Sequence, residues 1–195
     1  MIMRICVFGA ASALIDKQYV ERTENLCEKL AKRGHSLVFG AGATGLMGAA
    51  ARGFKRGGGH ILGVIPTFFR EDSVEVIYDG CDKLIFTETM AERKQTMEAA
   101  AEAYIIAPGG IGTFEEFFEV LTLKQLGRHD RAMVVYDVDG FYDGLESFMR
   151  TVTDRKFINP TCKSLYTLLS DDDEIIEYLE HYVPPTTPWH ELKNS

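Results

Sequence analysis

Pro108-Gly109-Gly110-Ile111-Gly112-Thr113-Phe114-Glu115-Glu116 brings three glycines, a hydroxyl and two adjacent carboxylates into one short stretch. Glycines let a backbone approach a ligand with no Cβ in the way, and N–H groups at the mouth of a following helix suit a phosphate. Carboxylates are poor neighbours for phosphate, so one of the pair is expected to face the reacting end of the ligand. Glu115 reads as an acid in the helix's first turn, where the dipole favours it by about 0.3–1 kcal/mol. Glu116 lies three residues beyond Thr113, so one helical turn brings the two to the same face. Upstream stands the basic pair Arg93-Lys94. Cations near a helix start oppose the dipole. The pair is therefore either a solvated surface feature or the counter-charge of a ligand.

The elements that must position these residues alternate regularly. Apolar strand patterns cover residues 5–8, 36–39, 61–65, 83–87, 104–107 and 133–137. Helical periodicity covers 16–33, 46–55, 90–101, 113–126, 142–153 and 171–181. Residues 67–82 are weakly periodic and read as a loop with some ordered pieces. Strands alternating with helices through short links predict an α/β fold: a doubly wound, Rossmann-like parallel sheet in a single domain. That domain is expected to span residues 1–183, with 184–195 an extended tail around Pro184-Pro185. Ligands of such sheets sit at the carboxyl ends of the strands. Three glycine turns fall there, at Gly9, at Gly40 to Gly45 and at Gly109 to Gly112, which points to one site.

Other chemistries are disfavoured. Gly40-Ala41-Gly42-Ala43-Thr44-Gly45 matches GxGxxG spacing, but the next strand ends Val64-Ile65-Pro66, with no acid to hold a ribose. No Gly-Lys-Ser/Thr follows any glycine cluster, so the phosphate loop is not of the Walker type. The five histidines and four cysteines share no ligand spacing, and no metal is expected. Cys6 and Cys27 fall on apolar patterns as small buried hydrophobes. Ser12 lies near Gly9, but no GxSxG or Ser/His/Asp set supports it as a nucleophile. At 195 residues and 46% hydrophobic content the chain can bury a sizeable core, and its net charge of −8 with scattered basic residues argues against nucleic acid as a partner. No run approaches transmembrane length and no secretory start is seen, so no membrane association and a reducing, cytoplasmic setting are expected.

Gly45-Leu46-Met47-Gly48, Gly63-Val64-Ile65-Pro66, Met90-Ala91-Glu92-Arg93-Lys94, Pro108 to Glu116, Glu119 to Gly127 and Asp139-Gly140-Phe141-Tyr142-Asp143 together resemble the Lonely Guy (LOG) family, in order, over roughly residues 4–180. PGGxGTxxE with an upstream Arg-Lys pair is a specific signature. Members have also been described as lysine decarboxylases, a label to which this sequence offers no pyridoxal-phosphate lysine context. The resemblance implies hydrolysis of the N-glycosidic bond of cytokinin riboside 5′-monophosphates, to free base and ribose 5-phosphate. It makes Arg93 and Glu116 the catalytic pair. The nucleotide-binding set becomes Gly9, Ser12, Gly42, Gly45, Met90, Lys94, Gly109, Gly110, Ile111, Gly112, Thr113 and Thr122. Neither cofactor nor metal is implied, and a homodimer paired through helices beside the site is. Two departures stand out: Gly9-Ala10-Ala11-Ser12 where many members have CGSS, and Gly40-Ala41-Gly42 where GGG is usual. Both add a methyl group near the nucleotide.

The chemistry suits the residues. Cleaving this bond builds positive charge on C1′–O4′ and negative charge on the base. Glu116 can stabilise that cation and orient or deprotonate the attacking water, while Arg93 holds Glu116 ionised and phosphate anchoring positions C1′. Met90 and residues 67–82, Glu75 among them, are expected along the wall that meets the base. The same glycine loop would also serve a noncatalytic nucleotide or molybdenum-cofactor carrier, by holding a pterin phosphate. Retention of both Arg93 and Glu116 favours the enzyme.

Overall fold

The structure, a computed structural model, describes residues 2–71 and 75–185. Its strands are β1 (Arg4–Phe8), β2 (Ser36–Phe39), β3 (Ile61–Pro66), β4 (Lys83–Thr87), β5 (Ala103–Ile106), β6 (Ala132–Tyr136) and β7 (Thr167–Leu169). The helices are α1 (Lys17–Lys32), α2 (Gly45–Gly57), α3 (Thr67–Glu71), α4 (Met90–Ala100), α5 (Ile111–Gln125), α6 (Asp143–Asp154) and α7 (Asp172–His181). The strands of the described residues form one all-parallel sheet in the order β4-β3-β2-β1-β5-β6-β7. The chain builds outward from β1 to β4, then crosses back to lay β5 on the other side of β1. The switch point between β1 and β5 is where such sheets open a crevice.

Alternation along each strand assigns the two faces. Ile5, Val7, Leu37, Phe39, Ile105 and Val134 pack with Leu26, Leu30, Phe54 and Ile175 of α1, α2 and α7. Cys6, Phe8, Val38, Tyr104, Ile106 and Val135 pack with Met97, Phe117, Leu121 and Met149 of α4, α5 and α6. Both sides of the central strands are thus dry, which is why they read as continuous apolar runs rather than as alternating ones. Helices α1 and α2 press together at Gly53 and Gly57, where a Cβ would collide with Glu24 O or with the Ala31 methyl.

The doubly wound parallel sheet expected from the sequence is present. The ordered pieces expected within Thr67 to Asp82 are α3 and an isolated antiparallel bridge between Gly42 and Ile77. Two details differ. The short edge strand β7 adds to β6, its Thr-Leu-Leu too brief to announce itself by period. And α5 begins at Ile111, two residues earlier than periodicity suggested, because Gly110 in an extended conformation serves as its N-cap. Of the tail expected over 184–195, all beyond Pro185 lies outside the described residues. No helix among the described residues is long and apolar enough to cross a membrane.

Candidate active site

The three glycine turns are laced together by backbone hydrogen bonds. Ala10 N–H donates to Pro108 O at 3.1 Å, joining the turn after β1 to the loop after β5. Leu46 N–H donates to Ala10 O at 2.7 Å, and the Thr44 hydroxyl donates to Ala11 O at 2.6 Å, joining the turn after β2 to the first. Gly45 needs to be glycine twice over: its φ is +58°, and a Cβ there would collide with Ala10 O. Gly9 lies buried against Leu46 and Ala107, and the Ser12 hydroxyl accepts from Leu14 N–H at 3.2 Å.

At the mouth of α5, Gly110 has no side chain with which to cap the helix. Thr89 caps α4 by accepting from Glu92 N–H at 3.1 Å, and Asp171 caps α7 by accepting from the N–H groups of Asp173 and Glu174. The first N–H groups of α5 are left to whatever enters the crevice, where the dipole favours an anion. Gly110 and Gly112 face open space. Thr113 is buried beneath them, packed so closely under Gly109 that a Cβ at that glycine would overlap its hydroxyl.

Arg93 reaches this assembly from α4. The residue is 5% exposed, and its guanidinium donates from Nη2 to Gly40 O at 3.1 Å and from Nε to Val64 O at 3.2 Å. It ties the carboxyl ends of β2 and β3 together, with the Phe69 ring 5.6 Å away and Met90 Sδ 3.9 Å from Nη1. Only glycine at position 40 leaves room, since a Cβ would sit inside the guanidinium. The sequence placed Gly40 in the glycine turn after β2 but not among the binding residues; the signal was a glycine directly after a buried strand, where packing alone would prefer a larger residue.

Glu116 is half-buried, and burial raises its pKa to about 7; Arg93 and Lys94 pull it down while Glu115 and Glu119 push it up. It can therefore be ionised at neutral pH and still be basic enough to take a proton. Lys94 lies between two acids: Nζ pairs with Glu115, and Glu119 stands 2.7 Å away. Burial disfavours its charge, but the hydrogen bonds to Glu115 and Glu119 outweigh that and raise its pKa. A phosphate would have to win this ammonium from them. Because α5 starts early, Glu115 is the fifth helical residue, past the first turn, and its partner is Lys94 rather than the dipole.

The structure thus brings together Gly9, Gly42, Gly45, Gly109 to Thr113, Met90, Arg93, Lys94 and Glu116 around the carboxyl ends of β1, β2 and β5. It sets Thr122 apart. Nine residues beyond Thr113, or about 13 Å along the axis, Thr122 lines an apolar groove of about 310 Å³ between α5 and α6, with Phe118, Leu121, Phe148 and Phe157.

The burial of Glu116 has a stability consequence. Its folded pKa lies above its unfolded one, so the native state binds the extra proton between about pH 4.5 and 7. Stability then falls as pH rises through that window, and the full penalty is present above 7. Glu116→Gln should stabilise the protein at pH 8, by at most about 2–3 kcal/mol given residual solvent contact, and should make no difference near pH 4. Urea unfolding at the two pH values checks this; a variant less stable at pH 8 would contradict it.

Comparisons with known proteins give the chain its relatives. A family model described as "Possible lysine decarboxylase" matches residues 47–179. The chain is 36% identical to cytokinin riboside 5′-monophosphate phosphoribohydrolase LOG2 of Arabidopsis thaliana, over 93% of this chain and 84% of that one. It is 34% identical to the LOG5 protein of the same plant, over 93% and 78%. Among solved structures, the molybdenum cofactor carrier protein of Chlamydomonas reinhardtii superposes with a TM-score of 0.70 over 92% of this chain and 97% of that one; at 21% identity, that likeness is one of fold. Matched over most of its length by sequence and by family model, the chain belongs to the Lonely Guy family.

Proposed function

We propose that the protein hydrolyses the N-glycosidic bond of nucleoside 5′-monophosphates, AMP or an N6-substituted AMP, to free base and ribose 5-phosphate. The observation that carries this is Glu116: a carboxyl with its pKa near 7, in reach of Arg93's field and one turn beyond an uncapped helix mouth. Relatives named for this reaction support the reading.

In this scheme the N–H groups at Ile111 to Thr113 hold the 5′-phosphate, and Lys94 swings from Glu115 and Glu119 to join them. Anchoring there places C1′ over Glu116 and pays the orientation cost remotely. As the bond to the base lengthens, the Glu116 carboxylate faces the growing cation and takes a proton from the attacking water. Arg93, fixed by two backbone carbonyls, keeps Glu116 from being held protonated by burial alone. Gly9, Ser12, Gly42 and Gly45 line the nucleotide's path, and Met90 touches the base. No cofactor or metal enters the scheme.

We further propose a cytoplasmic homodimer. Phe148 and Phe157, 60% and 78% exposed, flank the groove that Thr122 lines, and a second copy of the same helices would cover them. Thr122 would then act at the subunit contact rather than on the phosphate.

Two outcomes are expected. Glu116→Gln should lower AMP hydrolysis about 10²–10⁴-fold, as read by chromatography of released adenine, and wild-type kcat/KM should climb as pH passes through about 7 and Glu116 ionises. Undiminished release by the variant would refute the mechanism. Phe148→Asp should shift the protein from dimer to monomer in sedimentation; a monomeric wild type would remove the dimer proposal.

A further inference from the structure

Arg93 has a second acidic neighbour, Glu75, which the hydrolysis scheme leaves idle. Residues 76–78 lie on the glycine turn after β2 as a short antiparallel strap: Ala43 N–H donates to Val76 O at 2.8 Å, Tyr78 N–H donates to Ala41 O at 2.8 Å, and Gly42 bridges Ile77. Ala41 supplies its carbonyl from the left-handed region, at φ +63°, a conformation that residues with a Cβ seldom adopt. The strap lays Glu75 directly on Gly42, where any Cβ would overlap Oε1. That oxygen is shielded from solvent and has no hydrogen-bond partner among the described residues. Burial raises the Glu75 pKa, with Arg93 pulling the other way, the same two opposed influences that lead at Glu116. Closed off further from water by a bound base, a shielded carboxyl without a donor favours the neutral acid, and the neutral acid is a hydrogen-bond donor that needs an acceptor.

Position decides what that acceptor is. The phosphate cradle follows β5, and Gly42 follows β2, two strands away across β1 and about 10 Å along the sheet. A nucleotide is long enough to span that distance, so one whose phosphate sits at α5 can reach Gly42 with its base.

We infer that Glu75 is the general acid for the departing base, delivering its proton from the floor of the Gly42 turn to a purine ring nitrogen. The inference rests on the hydrolase reading. As the C1′–N9 bond breaks, its electron pair passes to the purine, which receives the Glu75 proton and leaves neutral. Water oxygen bonds to C1′ and its proton passes to Glu116. Glu75 ends ionised and Glu116 protonated, and solvent exchange restores both. Two carboxyls, one giving and one taking a proton across a cation-like sugar, reproduce the division of labour in glycosidases.

The test compares Glu75→Gln with wild type on AMP and on nicotinamide mononucleotide, whose base departs neutral without a proton. On AMP the variant should lose at least 30-fold in kcat with KM changed less than threefold, and should lose the alkaline limb of the kcat profile. On nicotinamide mononucleotide its loss in kcat should be at least tenfold smaller than on AMP, and a melting curve checks that it folds. If wild type does not cleave that compound, the kcat-against-KM split and the pH limb on AMP decide, with a melting curve to confirm folding. Equal losses on both substrates, or a rise in KM alone, would overturn the general-acid role and leave the hydrolase reading standing. A wild-type protein that releases no base from AMP would remove the hydrolase reading itself.

Discussion

One buried guanidinium organises the site. Taking an arginine out of water is costly unless its donors are met, and Arg93 meets them with the carbonyls of Gly40 and Val64, at the ends of two neighbouring strands. Carbonyl dipoles satisfy the hydrogen bonds without cancelling the charge. The uncancelled charge is then felt by Glu116 and Glu75, both raised by burial and both drawn back by Arg93. A surface arginine would be screened by solvent and could not tune either one.

The rest of the architecture serves that arrangement. The order in which strands are added reverses between β1 and β5, so the turns after β1, β2 and β5 converge and bond to one another. Each needs glycine for its own reason. Gly40 makes way for the guanidinium, Gly42 for the Glu75 carboxyl, Gly45 for a left-handed turn, and Gly109 for the Thr113 hydroxyl. Burial that raises Glu116 also destabilises the fold at neutral pH, the usual trade of stability for a poised group.

The sheet, its helices and the phosphate loop were legible in the sequence because each depends on a local pattern: apolar runs, 3.6-residue periodicity and glycines at strand ends. The pairing of Arg93 with Glu116 came from family resemblance, since the two lie on different helices and no spacing connects them. Gly40 was legible as part of a glycine turn but not as the seat of the guanidinium, because that side chain is 53 residues away. The strap at 76–78 escaped notice because it bonds to a distant turn rather than to its own neighbours. Lys94 was legible as a cation but not as one held between Glu115 and Glu119, a contact made only when α4 and α5 pack side by side.

Burial and Arg93 together set the proton affinity of Glu116. Carbon-13 NMR titration of the glutamate side-chain carboxyls, assigned with Glu116→Gln and repeated in Arg93→Met, measures it without reference to any substrate. A Glu116 midpoint near 7 in the wild type, moving upward when the guanidinium is removed, is the predicted result. An ordinary carboxylate midpoint near 4.5, unchanged by the arginine substitution, would contradict the account.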